Sequence, residues 1–248
     1  MTTEPVRSHR NARVVEAARL HRARHRKQDA RTLIEGPNLL TAAIESGTTP
    51  EILFALPDDG LSETKAALHD IELVRVDEAA MKRLAGTESP RGPVGVVSIP
   101  EQTELQGEGL IVSWGVSDPG NVGTLIRTAG AFGWGFAYTV GTADPWSPKV
   151  LRSGAGAQFS VTCGPVSKVE EVSQLGYTTV ASVVSGGTEL SSFPEGRYAL
   201  VVGEEASGLP DGVVAAADMT VTIPMSGATE SLNVSIAAGI IVYALSKP

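Results

Sequence analysis

Short apolar runs alternate with amphipathic stretches along the first hundred residues. The runs are TLIEG (Thr32–Gly36), EILFAL (Glu51–Leu56), IELVRV (Ile71–Val76) and PVGVVSIP (Pro93–Pro100). Runs of this length, bounded by turn residues, are typical of strands, and the periodicity between them predicts helices near 61–69 and 77–84. The pattern therefore predicts a small α/β domain over residues 31–100. A polar helix is predicted ahead of it, over residues 9–28.

A second alternation starts at LIVSWG (Leu110–Gly115) and continues to the end of the chain. Its later strands are FAYTV (Phe136–Val140), YTTVASVV (Tyr177–Val184), YALVVG (Tyr198–Gly203) and MTVTIP (Met219–Pro224). Helices are predicted from about 121 to 132, near 168–175, after Pro210 and from about 231. Near-continuous apolar strands separated by helices favour a parallel sheet covered on both faces. The polar segment 101–109 is the predicted linker to this domain of residues 110–248.

The distribution of charge changes the picture of possible partners. The formal net charge is −8, yet residues 1–31 carry nine Lys or Arg against three acids. A basic arm over residues 1–30 on an acidic body favours a polyanion such as RNA, with Arg22 and Arg26 as candidate contacts. The alternative is a solvated helix with no partner.

Composition excludes several other classes of protein. Cys163 is the only cysteine, so a disulfide framework and a cysteine-built zinc or iron–sulfur site are excluded. The longest apolar run, near Ile236–Leu245, is too short to span a bilayer, and the N-terminus is charged rather than signal-like. We expect a cytoplasmic protein without a membrane or metal partner.

Three polar blocks follow predicted strands, where parallel sheets bind their ligands. The blocks are DPGNVGTLIRTAGAFG (Asp118–Gly133), LVVGEEASGL (Leu200–Leu209) and IPMSGATESLNVSIAA (Ile223–Ala238). In the first block Asn121 can cap the following helix, and in the third Ser231 and Asn233 can supply hydrogen bonds at a helix start. Taken singly, each block also fits a capped surface loop.

Together, in this order and spacing, the blocks resemble the SpoU/TrmH family of RNA ribose 2′-O-methyltransferases, within the SPOUT superfamily. The segment RTLIEGPNLLTAAIESG (Arg31–Gly47) is similar to the L30e-like substrate-binding domain of such enzymes. The resemblance implies a parallel-sheet domain with a deep trefoil knot. It also implies S-adenosylmethionine as the cofactor, ribosomal or transfer RNA as the substrate, with ribosomal RNA favoured, and a homodimer.

The resemblance further assigns roles to individual residues. The expected catalytic group is Asn121, Arg127, Glu205, Ser231 and Asn233. The expected cofactor contacts are Val183, Gly203, Ile223, Met225 and Leu232. Arg152 matches a basic RNA contact, although a helix-end arginine is the simpler alternative. In the second block Glu204 stands where the family usually carries asparagine and Ala206 where it carries glycine.

Two other functions remain open on the sequence. One is a non-catalytic, knotted RNA-binding protein of ribosome assembly, against which the intact catalytic group argues. The other is antibiotic resistance by ribosomal RNA methylation, which needs the same motifs.

Overall fold

The computed structural model describes residues 10–87, 90, 92–101, 104–205, 207–227 and 231–246. Contacts divide the chain into two compact units. The first unit holds residues 1–101 together with 146–159, and the second holds 102–145 with 160–248. The segment 146–159 thus belongs to the first unit, although it lies within the second run of strands and helices in the sequence.

The elements follow one another along the chain as helices and strands of modest length. The helices are α1 (Ala12–Ala18), α2 (Ala23–Asp29), α3 (Pro37–Glu45), α4 (Gly60–Leu68), α5 (Glu78–Leu84), α6 (Pro119–Ala131), α7 (Pro148–Ser153), α8 (Val169–Ser173), α9 (Asp211–Ala216) and α10 (Val234–Leu245). The strands are β1 (Arg31–Glu35), β2 (Ile52–Ala55), β3 (Glu72–Arg75), β4 (Val94–Ser98), β5 (Leu110–Trp114), β6 (Gly135–Tyr138), β7 (Cys163–Pro165), β8 (Thr178–Ser182), β9 (Thr188–Glu189), β10 (Tyr198–Gly203) and β11 (Met219–Thr222).

The first unit is built on a four-stranded mixed sheet in the order β1-β4-β2-β3. Strand β4 is antiparallel to both β1 and β2, whereas β2 and β3 are parallel. Helices α1 and α5 contribute to a core cluster on the sheet that includes Phe54, Met81 and Leu84. The segment 146–159 adds Trp146 and Leu151 to a second cluster, with Leu39, Leu40 and Leu53 among its members.

Residues 12–29 of the basic N-terminal segment pack into this core and do not form a solvated arm. Val14, Ala17 and Leu20 are buried with the residues of α5 and the sheet. Instead of one polar helix, the segment forms α1, a 3₁₀ turn at Arg19–His21, and α2. The sequence pattern concealed this, because the buried positions lie among nine basic residues in the first 31.

Arg26 is the clearest departure from the sequence-based expectation. Its side chain is buried, with 3% of the residue exposed. The guanidinium Nη1 donates to the carbonyl oxygens of Leu20 at 2.8 Å and His21 at 2.9 Å. The arginine guanidinium has five N–H donors in a fixed geometry, so one side chain can bond to several carbonyl groups at the end of a neighbouring helical segment. The structure therefore contradicts Arg26 as an RNA contact and gives it a structural role.

The second unit is built on a seven-stranded parallel sheet in the order β7-β6-β5-β10-β8-β11-β9. Its central strands are almost entirely buried, as expected for a parallel sheet with covered faces. One core cluster joins Leu110, Val112 and Val201 to Val169 and Val172 of α8. The predicted fold class, a parallel-sheet α/β domain preceded by a smaller α/β domain, is confirmed.

The predicted linker is attached to the second unit where the structure describes it. Gln106 and Thr162 exchange hydrogen bonds through their backbone and hydroxyl groups. The Gly107 carbonyl oxygen accepts from Tyr177 and Arg197, whose guanidinium also lies 4.3 Å from the centre of the Tyr177 ring. Residues 104–109 therefore continue the second unit instead of forming a separate tether.

Asp118, not Asn121, caps helix α6. The Asp118 carboxylate accepts from the Asn121 backbone N–H at 2.9 Å, and Pro119 occupies the first helical position. The last helix likewise begins three residues later than expected, because Asn233 is its N-cap. Strands β7 and β9 and helix α7 were not predicted, since none has a long apolar run.

The deep knot stays a prediction. Among the described residues, no helix is long and apolar enough to cross a membrane.

We expect Arg26→Ala to lower the free energy of unfolding by about 1–3 kcal/mol, because two carbonyl groups beside a buried side chain lose their donor. Chemical denaturation of the full chain measures this. Arg24→Ala, on the exposed face of the same helix, is the matched control and should change stability by less than about 0.5 kcal/mol. Equal unfolding midpoints for the two variants would contradict the structural role of Arg26.

Candidate functional site

Two polar loops meet at the carboxyl ends of the neighbouring central strands β5 and β10 of the parallel sheet. From β5 the chain continues to β6 and β7 on one side, whereas β10 is the first strand on the other side. Ligands of open parallel sheets bind at such a reversal of strand order, beyond the carboxyl ends of the strands. Here α6 starts shortly after β5, and Glu204 and Glu205 directly follow β10.

A chain of hydrogen bonds joins these loops to the start of α10. The Asn121 Nδ2 donates to Glu205 Oε1, and the Asn121 Oδ1 accepts from Asn233 Nδ2 at 2.9 Å. The Asn233 Oδ1 in turn accepts from the backbone N–H groups of Ser235 at 3.0 Å and Ile236 at 3.3 Å. Three of the five expected catalytic residues are thereby brought into one group.

The groups at its two ends fix the donor-to-acceptor direction of every hydrogen bond in this series. An ionised carboxylate only accepts hydrogen bonds, so the Asn121 side chain must turn its amide nitrogen toward Glu205. Its oxygen then faces Asn233, whose nitrogen must donate. The Asn233 oxygen is left for the free N–H groups at the start of α10, which only donate. Both amide groups are therefore oriented by a carboxylate at one end and a helix terminus at the other.

Ser235 is a member of this group that the sequence did not reveal. Its hydroxyl donates to Asn233 Oδ1 at 2.7 Å and lies 3.3 Å from Asn121 Oδ1, and the residue is buried. A serine in the first turn of an otherwise apolar helix is the signal that could have identified it. Its position two residues after the Asn233 cap brings its hydroxyl to the acceptor of the cap.

A cavity of about 440 Å³ lies beside this group in the second unit. All five residues expected to contact the cofactor line it: Val183, Gly203, Ile223, Met225 and Leu232. Glu204, Glu205, Ser207 and Ser231 add polar groups to the same wall. The volume falls within the range of small-molecule sites, and the mixture of apolar walls and few polar groups is typical of them.

Gly203 gives the cavity its shape by allowing a close approach of backbone. A Cβ atom at this position would lie 2.4 Å from the carbonyl carbon and oxygen of Gly208. The Gly208 N–H donates to the Glu204 carbonyl at 2.8 Å, and Gly208 has a φ of +68°. Any side chain at 203 would therefore open this loop.

Arg127 lies apart from the hydrogen-bonded group. It is six residues after Asn121, which in an α-helix is about 9 Å along the axis and about 120° around it. Arg127 is exposed and has no side-chain partner among the residues that the structure describes. Its guanidinium is therefore open to an external anion. Ser231 lines the cavity but is not part of the hydrogen-bond chain.

The three residues expected to contact RNA differ in their surroundings, and all lie in the first unit. Arg22 is exposed, and Arg26 is buried as described above. Arg152, in the last turn of α7, donates from Nη1 to Glu35 Oε2 at 2.8 Å. Glu35 also accepts from the Gly86 backbone and the Thr87 hydroxyl. This environment favours the alternative for Arg152, a structural arginine at a helix end.

The lone cysteine contributes no reactive group to the site. Burial raises the pKa of the Cys163 thiol to about 12, so it is not ionised near neutral pH. Within the described part of the chain, no group of three or more His, Cys, Asp or Glu side chains could hold a metal ion.

Comparison with known proteins agrees with this geometry. The sequence profile of the SpoU rRNA Methylase family matches residues 109–243, which include the whole site. The chain belongs to the SpoU rRNA methylase family. The profile of the MRM3-like substrate binding domain matches residues 11–95. The resemblance inferred from the three polar blocks is therefore confirmed.

Members of the SpoU family are similar over almost the whole chain. The 23S rRNA (guanosine(2553)-2′-O)-methyltransferase RlmP of Bacillus subtilis is 32% identical, covering 97% of this chain and 98% of that protein. The SpoU methyltransferase AviRb from Streptomyces viridochromogenes, solved in complex with AdoMet, superposes with a TM-score of 0.84 at 26% identity, covering 96% and 97% of the two chains. An AdoMet-bound rRNA methyltransferase from Sinorhizobium meliloti has a TM-score of 0.83 at 25% identity, covering 98% and 97%.

Proposed function

We propose that this protein methylates a ribose 2′-hydroxyl of ribosomal RNA, and that the cavity beyond β10 holds its S-adenosylmethionine. As a member of the SpoU family, the chain is an S-adenosylmethionine-dependent RNA ribose methyltransferase. One observation carries the assignment of the site. The hydrogen-bond chain through Glu205, Asn121 and Asn233 lies beside a cavity lined by every residue expected to contact the cofactor.

The cavity suits the parts of this cofactor. Apolar side chains of Val183, Ile223 and Leu232 offer surfaces for a flat adenine ring, while the close turn at Gly203 leaves backbone instead of a side chain at the cavity wall. When bound, S-adenosylmethionine supplies a methyl group on a sulfonium, which is open to attack by an oxygen nucleophile. The protein's part is to hold that methyl group in line with the ribose hydroxyl.

The starts of two helices provide the other half of the site. Helices α6 and α10 pack against each other, and Asn121 near the start of one bonds to the N-cap of the other. Partial positive charge accumulates at helix N-termini, so this place favours a phosphate and the negative charge that develops on the attacking oxygen. The fixed amides of Asn121 and Asn233 orient the groups around them. Ser231, on the cavity wall, is assigned the same orienting role.

Arg127 is assigned to the RNA phosphate. Its guanidinium can bind a phosphate through two parallel hydrogen bonds, and because an arginine side chain keeps its proton in proteins it is a poor base. A phosphate clamp that also stabilises developing alkoxide charge fits this chemistry.

Ribosomal RNA is the substrate that the comparisons favour. RlmP is named for a nucleotide of 23S rRNA, and the first unit matches a substrate-binding domain of the MRM3 type. Methyl transfer from labelled cofactor to ribosomal and transfer RNA, isolated from cells that lack this protein, tests the proposal. Mapping of 2′-O-methyl marks would then identify the nucleotide. Cofactor binding without transfer to either RNA would favour the alternative, a non-catalytic protein of ribosome assembly.

Replacing Arg127 should separate the two halves of the site. We expect Arg127→Ala to leave S-adenosylmethionine affinity nearly unchanged while methyl transfer falls by on the order of a hundredfold, typical of a lost transition-state contact. Lysine should restore activity only in part, because a point charge lacks the guanidinium fork. Calorimetry and turnover on the mapped RNA measure the two effects, with exposed Lys168→Ala as the control. Wild-type turnover by Arg127→Ala would mean that Arg127 is structural.

The first unit should supply RNA affinity through a small set of free charges. Arg13, Arg19 and Arg31 form ion pairs with acidic residues, and Arg26 is buried. Arg22, Arg24 and Lys27 are exposed and have no side-chain partner within the described part of the chain. We therefore assign RNA contact to these three and regard Arg152 as the weaker candidate.

Neutralising Arg22, Arg24 and Lys27 with glutamine should weaken RNA binding and its dependence on salt. Each lost phosphate contact should reduce the slope of log affinity against log salt concentration by about 0.7–0.9. Filter binding or anisotropy across a salt series measures this. The control replaces Lys65, Lys82 and Lys168, with the same loss of charge. Identical slopes for the two triple variants would show that this surface does not hold RNA. Deleting the segment is not a clean test, because Val14, Ala17 and Leu20 belong to the core.

A second copy of this chain is the proposed partner for the outer face of α10. Ile241 and Val242 are buried in the core, so they are not available to another molecule. Ile236, Ile240 and Tyr243 are instead 56%, 40% and 62% exposed. Their spacing of four and three residues places them on one side of the helix. A self-complementary apolar stripe is what a two-fold dimer needs.

We expect a homodimer at micromolar concentration, and a monomer when Ile236 and Ile240 are both replaced by glutamate. Buried charges without partners would oppose association through this stripe. Sedimentation velocity gives the assembly state. The control replaces exposed Leu61 and Leu68 of α4 with glutamate and should remain dimeric. A monomeric wild-type protein at this concentration would rule the dimer out.

A further inference from the structure

Glu204 is a second carboxylate at the proposed cofactor cavity, and the hydrogen-bond chain does not use it. Its neighbour Glu205 accepts from Asn121, whereas Glu204 lies on the cavity wall at the end of β10. The Ser207 hydroxyl donates to Glu204 Oε2 at 2.9 Å. The backbone of Glu204 is also held, because its carbonyl accepts from the Gly208 N–H. The carboxylate is therefore positioned, and its Oε1 has no partner among the described residues.

The charges that line the cavity all have one sign. Glu204 and Glu205 are the only ionisable side chains among the described residues of its wall, and no Lys, Arg or His is present there. S-adenosylmethionine carries a sulfonium, an ammonium and a carboxylate, a net charge of +1 near neutral pH. Its product, S-adenosylhomocysteine, has a neutral thioether and a net charge of zero. A cavity lined by two carboxylates should distinguish the two molecules by charge.

We propose that Glu204, oriented by Ser207, is a specificity-determining residue that favours the cationic cofactor over its neutral product. The inference rests on the proposed cofactor site. Its physical basis is the difference of one positive charge between two ligands of nearly the same shape. After transfer, the sulfur loses that charge and with it the attraction of the carboxylate, which favours product release. Contacts with the adenine and ribose cannot supply this discrimination, because both ligands share these groups.

The test compares three ligands on wild-type protein and on Glu204→Gln, which removes the charge but keeps the shape. The ligands are S-adenosylmethionine, S-adenosylhomocysteine and sinefungin, which carries a protonated amine where the cofactor has its sulfonium. We expect Glu204→Gln to weaken binding of the two cationic ligands by about two- to fivefold, the range for a solvent-exposed charge pair. The neutral product should change less, and the cofactor-to-product affinity ratio should fall. Calorimetry on the full chain measures all three affinities.

Two further variants make the test specific. Glu204→Asp keeps the charge and should retain most of the cofactor preference. Glu195→Gln removes a charge from an exposed residue outside the cavity wall and should leave the ratio unchanged. Higher salt should reduce the preference of the wild-type protein and have little effect on Glu204→Gln.

The outcomes separate this inference from the function on which it rests. If Glu204→Gln weakens the binding of cofactor and product equally, Glu204 bonds to a group that both ligands share. If it weakens the binding of neither, Glu204 is a surface carboxylate without a role in binding. Both results overturn the inference while the methyltransferase function stands. A wild-type protein that binds none of the three ligands would overturn the proposed cofactor site as well.

Discussion

The site depends on the hydrogen bonds that run from the Glu205 carboxylate through Asn121 and Asn233 to the first N–H groups of α10. Each member has only one orientation that satisfies its neighbours, because the ends of the chain are a pure acceptor and pure donors. Three loops that are distant in sequence are therefore tied together at the edge of the sheet. Such preorganisation allows polar groups to act on a reaction without first having to reorient.

The parallel sheet provides the place for these bonds. Strands β5 and β10 are neighbours although 83 residues lie between Trp114 at the end of β5 and Tyr198 at the start of β10. Their carboxyl ends therefore bring Asn121 and Glu205 to the same end of the sheet. The turn at Gly203 then brings backbone within a distance that no side chain would permit. Cavity and hydrogen-bonded group are adjacent because both start from the end of β10.

In the first unit, the basic side chains of the N-terminal segment differ in whether they are ion-paired, buried or exposed. Arg13, Arg19 and Arg31 are engaged by acids, Arg26 by carbonyl groups, and Arg22, Arg24 and Lys27 remain exposed. A count of nine basic residues therefore overstates the charge available to a partner. Val14, Ala17 and Leu20 belong to the core of the unit, so the exposed basic side chains are carried by a segment that is packed onto that core.

The sequence by itself determined the family, the two α/β regions and most strands, because three polar blocks and long apolar runs are local features. It also pointed to five residues of the cavity wall as cofactor contacts, four of them within those blocks. Only the tertiary structure showed that Arg26 is buried and that segment 146–159 belongs to the first unit. It also showed that Asp118, and not Asn121, is the N-cap of α6, and that Ser235 belongs to the hydrogen-bonded group. Each of these depends on which groups meet in space. An arginine or serine has the same local pattern whether its partner is a phosphate, a carbonyl or water, and only the folded chain selects among them.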